Sequence, residues 1–427
     1  MGTQADSNAN DRIAGLLKNK EKVVFCVGCK SIGQYGGFET FVKGLVERDS
    51  NGKNQYFVSC KARGEGCMEV DKLSGAEMIS DREFLYCNAI CYLVPVNTGI
   101  GSAQAIQYDL DSLKFVIGYI EKYKIQSPVV YIMACRIGPF FRKYVKRIHA
   151  LGGRVIINPD GHEWKRSKWA PPIRAYWKIS EKKMVKNADL VACDSLNIEN
   201  YIRKQYESFH PNTTYVAYGV DEKYSEMADD DPVYRDWIQK NDLSGKAYYL
   251  IVGRFVPENN FETIIREFMK SKTERSLVII TTPNSKFYTK LDKEYAFTSD
   301  PRICFAGTVY NQKLLKKIRE KAYGYLHGHE VGGTNPSLLE SLCSTKLNLL
   351  YKVGFNEEVA RDAALYWTKE EGNLSALIEK TDAMSGEEIR LLGEKAIQRI
   401  DEAYRWNYII ERLNAIWNGL EHSGGRE

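Results

Sequence analysis

Short apolar runs that end in glycine or a small polar residue alternate with amphipathic stretches along most of the chain. Lys22 to Gly28 (KVVFCVG) reads as a buried strand closed by glycine, and a glycine-dotted loop, Cys29 to Gly37, leads into an amphipathic stretch from Phe38 to Arg48. Further strands are expected at Gln55–Cys60, Ile90–Val94, Val129–Ala134, Arg154–Asn158 and Leu190–Cys193, with helical periodicity at Leu110–Lys124, Phe140–Leu151 and Ile173–Asn187. Strands alternating with helices predict a parallel sheet covered on both faces.

An acidic stretch, Asp221 to Lys246, breaks this rhythm, and its run Asp229-Asp230-Asp231 reads as a solvated linker. The alternation then restarts. It runs through strand Tyr248–Gly253, helix Phe261–Lys270, strands Ser276–Thr281 and Ile303–Gly307, helix Asn311–Lys321, strand Ala322–His327 and helix Asn335–Leu342. The last pattern, Glu387–Leu420, is helical with one side apolar and aromatic (Ile400, Tyr404, Trp406, Trp417), so it must pack on something. The expected division is a flexible arm or one short helix over 1–21, an N-terminal α/β domain over 22–215, a linker over 216–245, a C-terminal α/β domain over 246–400 and a helix over 401–420 that packs back on the first domain.

Composition changes this picture little. The 427 residues are 44% hydrophobic, and 60 Lys+Arg against 55 Asp+Glu leave a net charge of only +5. That balance is too mild to imply nucleic-acid binding. The start, Met1 to Asp11, is polar, and no apolar run reaches the roughly 20 residues of a membrane span. A soluble cytoplasmic protein with reduced thiols is expected. Cys26-x-x-Cys29 invites a metal or redox reading, but Cys26 lies in an apolar strand where cysteine serves as a small hydrophobe. Asp109-Leu110-Asp111 has the form that binds a metal diphosphate, although it falls where acids cap a helix.

Four strand-end loops carry unusual residues, where ligands of open parallel sheets bind. Gly33 to Thr40 places Gly36 and Gly37 before a helix, suited to an anion or simply to a tight turn. Asn158 to Trp169 crowds Asp160, His162, Glu163, Trp164, Lys165 and Arg166 behind one strand; a capped helix start with a basic face is the plainer reading. Arg254 follows the first strand of the second half, where its planar fork suits a diphosphate or a surface ion pair. In the fourth, His327 to Ser341, Gly332 and Gly333 expose backbone, Thr334 or Asn335 can cap the next helix, and Glu340 suits ribose hydroxyls. Trp164 to Lys186 interleaves cations with aromatics, as an anionic bilayer surface or a solvated helix face would require.

In this order the loops GQYGGFETFV (33–42), NPDGHEWKRSKW (158–169), ADLVACDS (188–195), VGRFVPENN (252–260) and GHEVGGTNPSLLES (328–341) resemble bacterial family 4 glycosyltransferases, in particular the rhamnosyltransferase branch that builds capsule, exopolysaccharide and cell-wall polysaccharides. The resemblance implies the GT-B fold, with two Rossmann-like α/β/α domains facing each other across a deep cleft. It implies a retaining enzyme that needs no metal or other cofactor. The expected partners are dTDP-β-L-rhamnose, a lipid-diphosphate-linked saccharide acceptor and the inner face of the cytoplasmic membrane, held peripherally, with no nucleic acid. Donor binding then falls to Gly36, Gly37, Arg254, Asn259, Asn260, Thr308, Tyr310, Gly332, Gly333, Thr334, Asn335 and Glu340. Acceptor binding falls to Glu163, Trp164, Lys165 and Arg166, with His162, Asp160, Arg254 and Glu340 at the chemistry. Two positions depart from the family pattern. Asn259 and Asn260 stand where a lysine is usual, and Gly332 replaces the first of two glutamates, with Glu330 two residues away. A UDP-hexose donor, or a degenerate nucleotide-sugar-binding scaffold, are the alternatives.

Overall fold

A computed structural model describes residues 2–420 apart from 34–35, 167–168, 222–224 and 283–284. The chain divides into two units. The first comprises residues 1–165, 169–219 and 406 onward, and the second comprises 166–168 and 220–405.

Strands of the first unit are β1 (Lys22–Val27), β2 (Asn54–Lys61), β3 (Glu77–Met78), β4 (Glu83–Tyr86), β5 (Ala89–Val94), β6 (Val129–Met133), β7 (Arg154–Asn158), β8 (Leu190–Cys193) and β9 (Thr213–Tyr215). They form one sheet in the order β3-β4-β5-β2-β1-β6-β7-β8-β9, parallel from β5 to β9 and antiparallel at the β3–β4–β5 edge. The order reverses direction at β1, the kind of switch point where parallel sheets bind ligands. Central strands are buried on both faces, which is why β1 and β6 read as continuous apolar runs rather than alternating ones.

The second unit has β10 (Tyr248–Val252), β11 (Ser276–Ile280), β12 (Ile303–Phe305), β13 (Gly324–His327), β14 (Asn348–Tyr351) and β15 (Leu365–Trp367). They are ordered β12-β11-β10-β13-β14-β15 and all parallel, with the reversal at β10. Phe255, Phe261, Ile264, Phe268 and Trp367 fill the core on one side of this sheet, and Tyr234, Trp237, Leu314 and Ile318 the other.

Three expectations change, and one open alternative is decided. Residues 2–17 form a helix rather than a flexible arm, and its Ile13 is fully buried in the core of the first unit. The supposed linker contains the helix Pro232–Lys240, capped by the Asp231 side chain, while Asp229 pairs with Lys317 and Lys321; these acids are structural and belong to the second unit. The helix expected from Leu110 starts earlier, at Gln104, so Asp109 lies inside it rather than at its cap. The last helical pattern is two helices, Gly386–Ala403 and Trp406–Trp417, and the chain leaves the second unit between them.

Trp406–Trp417 packs on the first unit. The Trp406 ring stacks 5.9 Å from Phe41, and a Cβ added at Gly44 or Gly219 would come within 2.0 or 2.4 Å of its indole. Asn414 accepts from Asn54, and Arg412 donates to the Tyr215 carbonyl.

Candidate active site

In the second unit the ends of the adjacent strands β10 and β13 carry the loops of interest. Arg254, two residues beyond β10, is exposed. Its loop is held by the two asparagines that follow. Asn259 donates its side-chain amide to the Arg254 carbonyl (2.8 Å), and Asn260, in left-handed backbone (φ 56°), donates to the Gly328 carbonyl (2.7 Å) and to Glu330 (3.3 Å). Both are buried; Asn259 braces the arginine loop from within, and Asn260 ties it to the β13 loop.

Beyond β13, Gly332 has φ 141°, a conformation that a residue with a Cβ adopts only under strain. A glutamate here would therefore strain the backbone, although nothing stands within 4 Å of its Cβ position. Glu330 does not stand free in its place, because it pairs with Lys369 and accepts from Asn260. Gly333 and Thr334 are buried. Asn335 caps the helix Pro336–Ser344 through its side chain, accepting from the Ser337 N–H at 2.9 Å. Glu340, one turn into that helix, bonds Arg319 at 2.6 Å; Arg319 is 4% exposed and also donates to Ser337, which bonds the Tyr325 hydroxyl. A buried arginine thus fixes Glu340 from beneath. Thr308 follows β12 and shares a hydrogen bond with Thr282, which follows β11, while Tyr310 is 78% exposed.

Two histidines that sequence reading left without a role lie under these loops. The rings of His327 and His329 stack 4.4 Å apart. Among the described residues, neither ring nitrogen of His327, nor Nδ1 of His329, has a hydrogen-bond partner. They line a narrow crevice with Gly253, Asn259, Tyr325 and Gly328. Burial, with Arg254 nearby, pulls His329 down to about 3, and burial with His329 alongside pulls His327 well below its usual value. Both are neutral at physiological pH, offering ring N–H groups and lone pairs without charge.

In the first unit Gly36 precedes the helix Gly37–Arg48, and Glu39 folds back to accept from the Lys30 N–H at 2.9 Å. A Cβ at Gly36 would sit 1.9 Å from the Glu39 carboxylate, so a larger residue there would displace the Glu39 side chain. Gln34 and Tyr35 of the same loop, and Ser167 and Lys168 of the loop after β7, lie outside the described residues.

After β7, Asp160 (φ 59°) and His162 (φ 51°) are both left-handed, in a turn where Asn158 Oδ1 accepts the Asp160 N–H. The His162 ring lies 4.2 Å from Tyr201 and edge-on to Trp164. Burial, with Lys165 and Lys178 close by, holds it at about 4. It is a weak base at neutral pH, better suited to orienting a hydroxyl than to removing its proton. Glu163 accepts from the Trp169 indole (2.8 Å), and Lys178 sits 4.2 Å over Trp164. Arg166 falls with the second unit, apart from the three residues before it.

A further feature of this unit lay outside the expected site. Arg136, three residues beyond β6, donates to the Gly28 carbonyl at 3.0 Å and to both Asp109 oxygens at 3.2 Å. Burial pushes the Asp109 carboxyl up to about 6 against the pull of Arg136. The signal was an arginine following the central strand β6, with Asp-x-Asp on the helix before it.

The ten cysteines are free thiols, and burial pushes Cys26 up to about 12, so it packs rather than reacts. Among the described residues no group of three His, Cys, Asp or Glu is placed to hold a metal.

A family model described only as a domain of unknown function, DUF1972, matches residues 21–221. The sequence matches none of the curated proteins. Among solved structures, the chain is similar to sucrose-phosphate synthase from Thermosynechococcus elongatus, with TM-score 0.71, 13% identity, and 94% of this chain and 99% of that one covered. It is similar to a glycosyltransferase from Rickettsia africae, with TM-score 0.68, 12% identity, and coverage of 95% and 100%. It is also similar to Anabaena HepE in complex with UDP, with TM-score 0.65, 10% identity, and coverage of 93% and 100%. The fold is that of the two-domain GT-B glycosyltransferases.

Proposed function

We propose that the protein is a retaining glycosyltransferase that takes a sugar from a nucleoside-diphosphate donor. The finer reading is transfer of rhamnose from dTDP-β-L-rhamnose to a lipid-diphosphate-linked saccharide at the cytoplasmic face of the membrane, in polysaccharide synthesis. The observation that carries it is Arg254, exposed beyond β10 on a loop that Asn259 braces from within and Asn260 ties to the loop that opens the helix Pro336–Ser344. A cation and a helix N-terminus held together in this way suit a diphosphate.

In the reaction the bond between the anomeric carbon and the diphosphate oxygen breaks, and the acceptor hydroxyl oxygen bonds to the same face of that carbon. The hydroxyl proton passes to the departing phosphate oxygen. Arg254 stabilises the charge that develops on the leaving diphosphate. Glu340, steadied by Arg319, accepts from ribose hydroxyls, and neutral His162 orients the sugar or the acceptor hydroxyl. Phosphate charge met by Arg254 and backbone N–H groups makes transfer independent of added metal. A chelator therefore leaves the rate unchanged, and loss of activity in EDTA that magnesium restores would require a metal in the mechanism.

A UDP-hexose donor is the second reading, favoured by the UDP-bound neighbour. Calorimetry with dTDP, UDP and ADP, followed by donor hydrolysis and transfer, separates the two. Preference for dTDP supports rhamnose and preference for UDP moves the donor. Nucleotide binding without transfer to any lipid acceptor leaves a scaffold, and no nucleotide binding overturns the proposal. Arg254→Ala is expected to lower turnover roughly a hundredfold or more with an unchanged melting temperature. Near-wild-type turnover would remove Arg254 from the chemistry.

A further inference from the structure

The helices Gly138–Ala150 and Pro171–Asn187 follow β6 and β7 and pack against each other at a close crossing. There the Gly138 N–H donates to Ser180 Oγ at 2.7 Å, and a Cβ on Gly138 would meet the Ser180 backbone. Their inner sides are spent on the core: Phe141, Val145 and Ile148 on one, Trp177, Met184 and Val185 on the other. The aromatics Trp177 and Tyr176, which in sequence lay among the cations, are drawn inward, and Tyr176 donates to the Arg136 carbonyl.

What remains outside has an unusual composition. Lys143 and Lys146 are exposed on the first helix, and Lys182, Lys183 and Lys186 on the second. Neither helix carries an exposed carboxylate. The first has no acid at all, and the one acid of the second, Glu181, is 4% exposed and accepts from Tyr201 and Tyr206. Neighbouring acids meet the first helix where Glu121 pairs with Arg147, Asp189 bonds His149 and Asp111 lies near Tyr144. Two large apolar side chains also stand out of this surface beside the crossing: Phe140, 43% exposed, and Ile179, 52% exposed. Ile179 shares its side of the helix with Lys182, Lys183 and Lys186 at spacings of three, four and seven.

We infer that this two-helix face docks the protein on an anionic lipid bilayer, with the lysines at the headgroups and Phe140 and Ile179 entering the interface. Charge complementarity argues for an anionic partner, and the two exposed apolar side chains argue for one with an apolar layer beneath its charge. A nucleic acid would use the lysines but leave Ile179 without a role. The inference rests on the lipid-linked acceptor of the proposed function for its purpose, while its evidence is this face alone. Among the described residues no helix is long and apolar enough to cross a membrane, so the contact is peripheral.

The test is sedimentation of the full chain with vesicles of phosphatidylcholine alone and with about one-third phosphatidylglycerol added. Binding is expected only with phosphatidylglycerol and is expected to weaken at high salt. Lys143→Glu, Lys146→Glu and Lys183→Glu together should weaken it at least about tenfold, and Phe140→Ser with Ile179→Ser should weaken it at constant charge. Absence of binding to the anionic vesicles, binding unchanged in the charge-reversed variant, or tighter binding to duplex or single-stranded nucleic acid than to vesicles would each overturn the inference. Calorimetry with nucleotide on the same variants keeps the two proposals apart. Nucleotide binding is expected to be intact in all of them, and its absence in the wild type would remove the glycosyltransferase reading without touching this one.

Discussion

His327 and His329 show how burial turns a common side chain into a neutral one. An imidazole in the unfolded chain takes a proton near pH ~6.5. His329 refuses it until about 3, His162 until about 4, and His327 is also held well below its usual value. As pH falls below roughly 6.5, the unfolded state binds protons that the native state does not, and stability declines. Asp109 works in the opposite direction, since its native carboxyl, at about 6, protonates before an unfolded aspartate does and gains stability as pH falls toward 4. With three histidines against one aspartate, the melting temperature should fall between pH 7 and pH 5, and His327→Phe should reduce that fall. A melting temperature flat across this range would refute the account. Residue types and strand-end positions were legible for Arg254 and Glu340, because each follows a recognisable strand or cap. Their supports were not. Arg319 lies 21 positions before Glu340, and Arg136 lies 27 after Asp109, so only the folded sheet brings each pair together. Glu340→Ala would leave a buried arginine without its partner at a cost of about 3 kcal/mol. Its activity must therefore be read beside a melting curve, and an unchanged melting temperature would show that the pair contributes little.

At the scale of elements, the loop after β13 is shaped for glycine. With φ 141° at Gly332, Gly332→Glu should lower the melting temperature and leave turnover no higher than wild type, even though it restores the residue expected of the family pattern. A gain in turnover would show that the loop can accept the carboxylate. Strands with a one-sided or fully apolar signature, such as β1, β6, β10 and β11, were readable as such. The antiparallel pair β3–β4 was not, since β3 is two exposed residues and β4 only four, too short for a period to register. The helix Pro232–Lys240 was hidden for a different reason. Its cap, Asp231, and its neighbour Asp229 formed an acidic run that resembles a linker, and only the opposing Lys317 and Lys321 make that charge structural.

For the whole molecule, the division into two α/β halves followed from the broken rhythm near residue 220, and the return of the last helix to the first half followed from its apolar face. Sequence did not show where the chain crosses: Gly219 ends the first unit's main segment, and Trp406 re-enters it, beside the bridge between Val220 and Arg405. Trp406 fills a slot that Gly44 and Gly219 leave open, so Trp406→Ala should cost about 3–5 kcal/mol, read by denaturant unfolding. A loss below about 1 kcal/mol would mean that the slot collapses without it. The arrangement also sets an order of events during synthesis. The first unit is interrupted by the entire second one, residues 220–405, before its closing helix is made. At about 5–20 residues per second, that interval lasts roughly ten to forty seconds. Throughout it the slot at Gly44 and Gly219 is empty on a nascent chain, so a ribosome that stalls before Trp406 leaves an apolar groove for chaperones to cover.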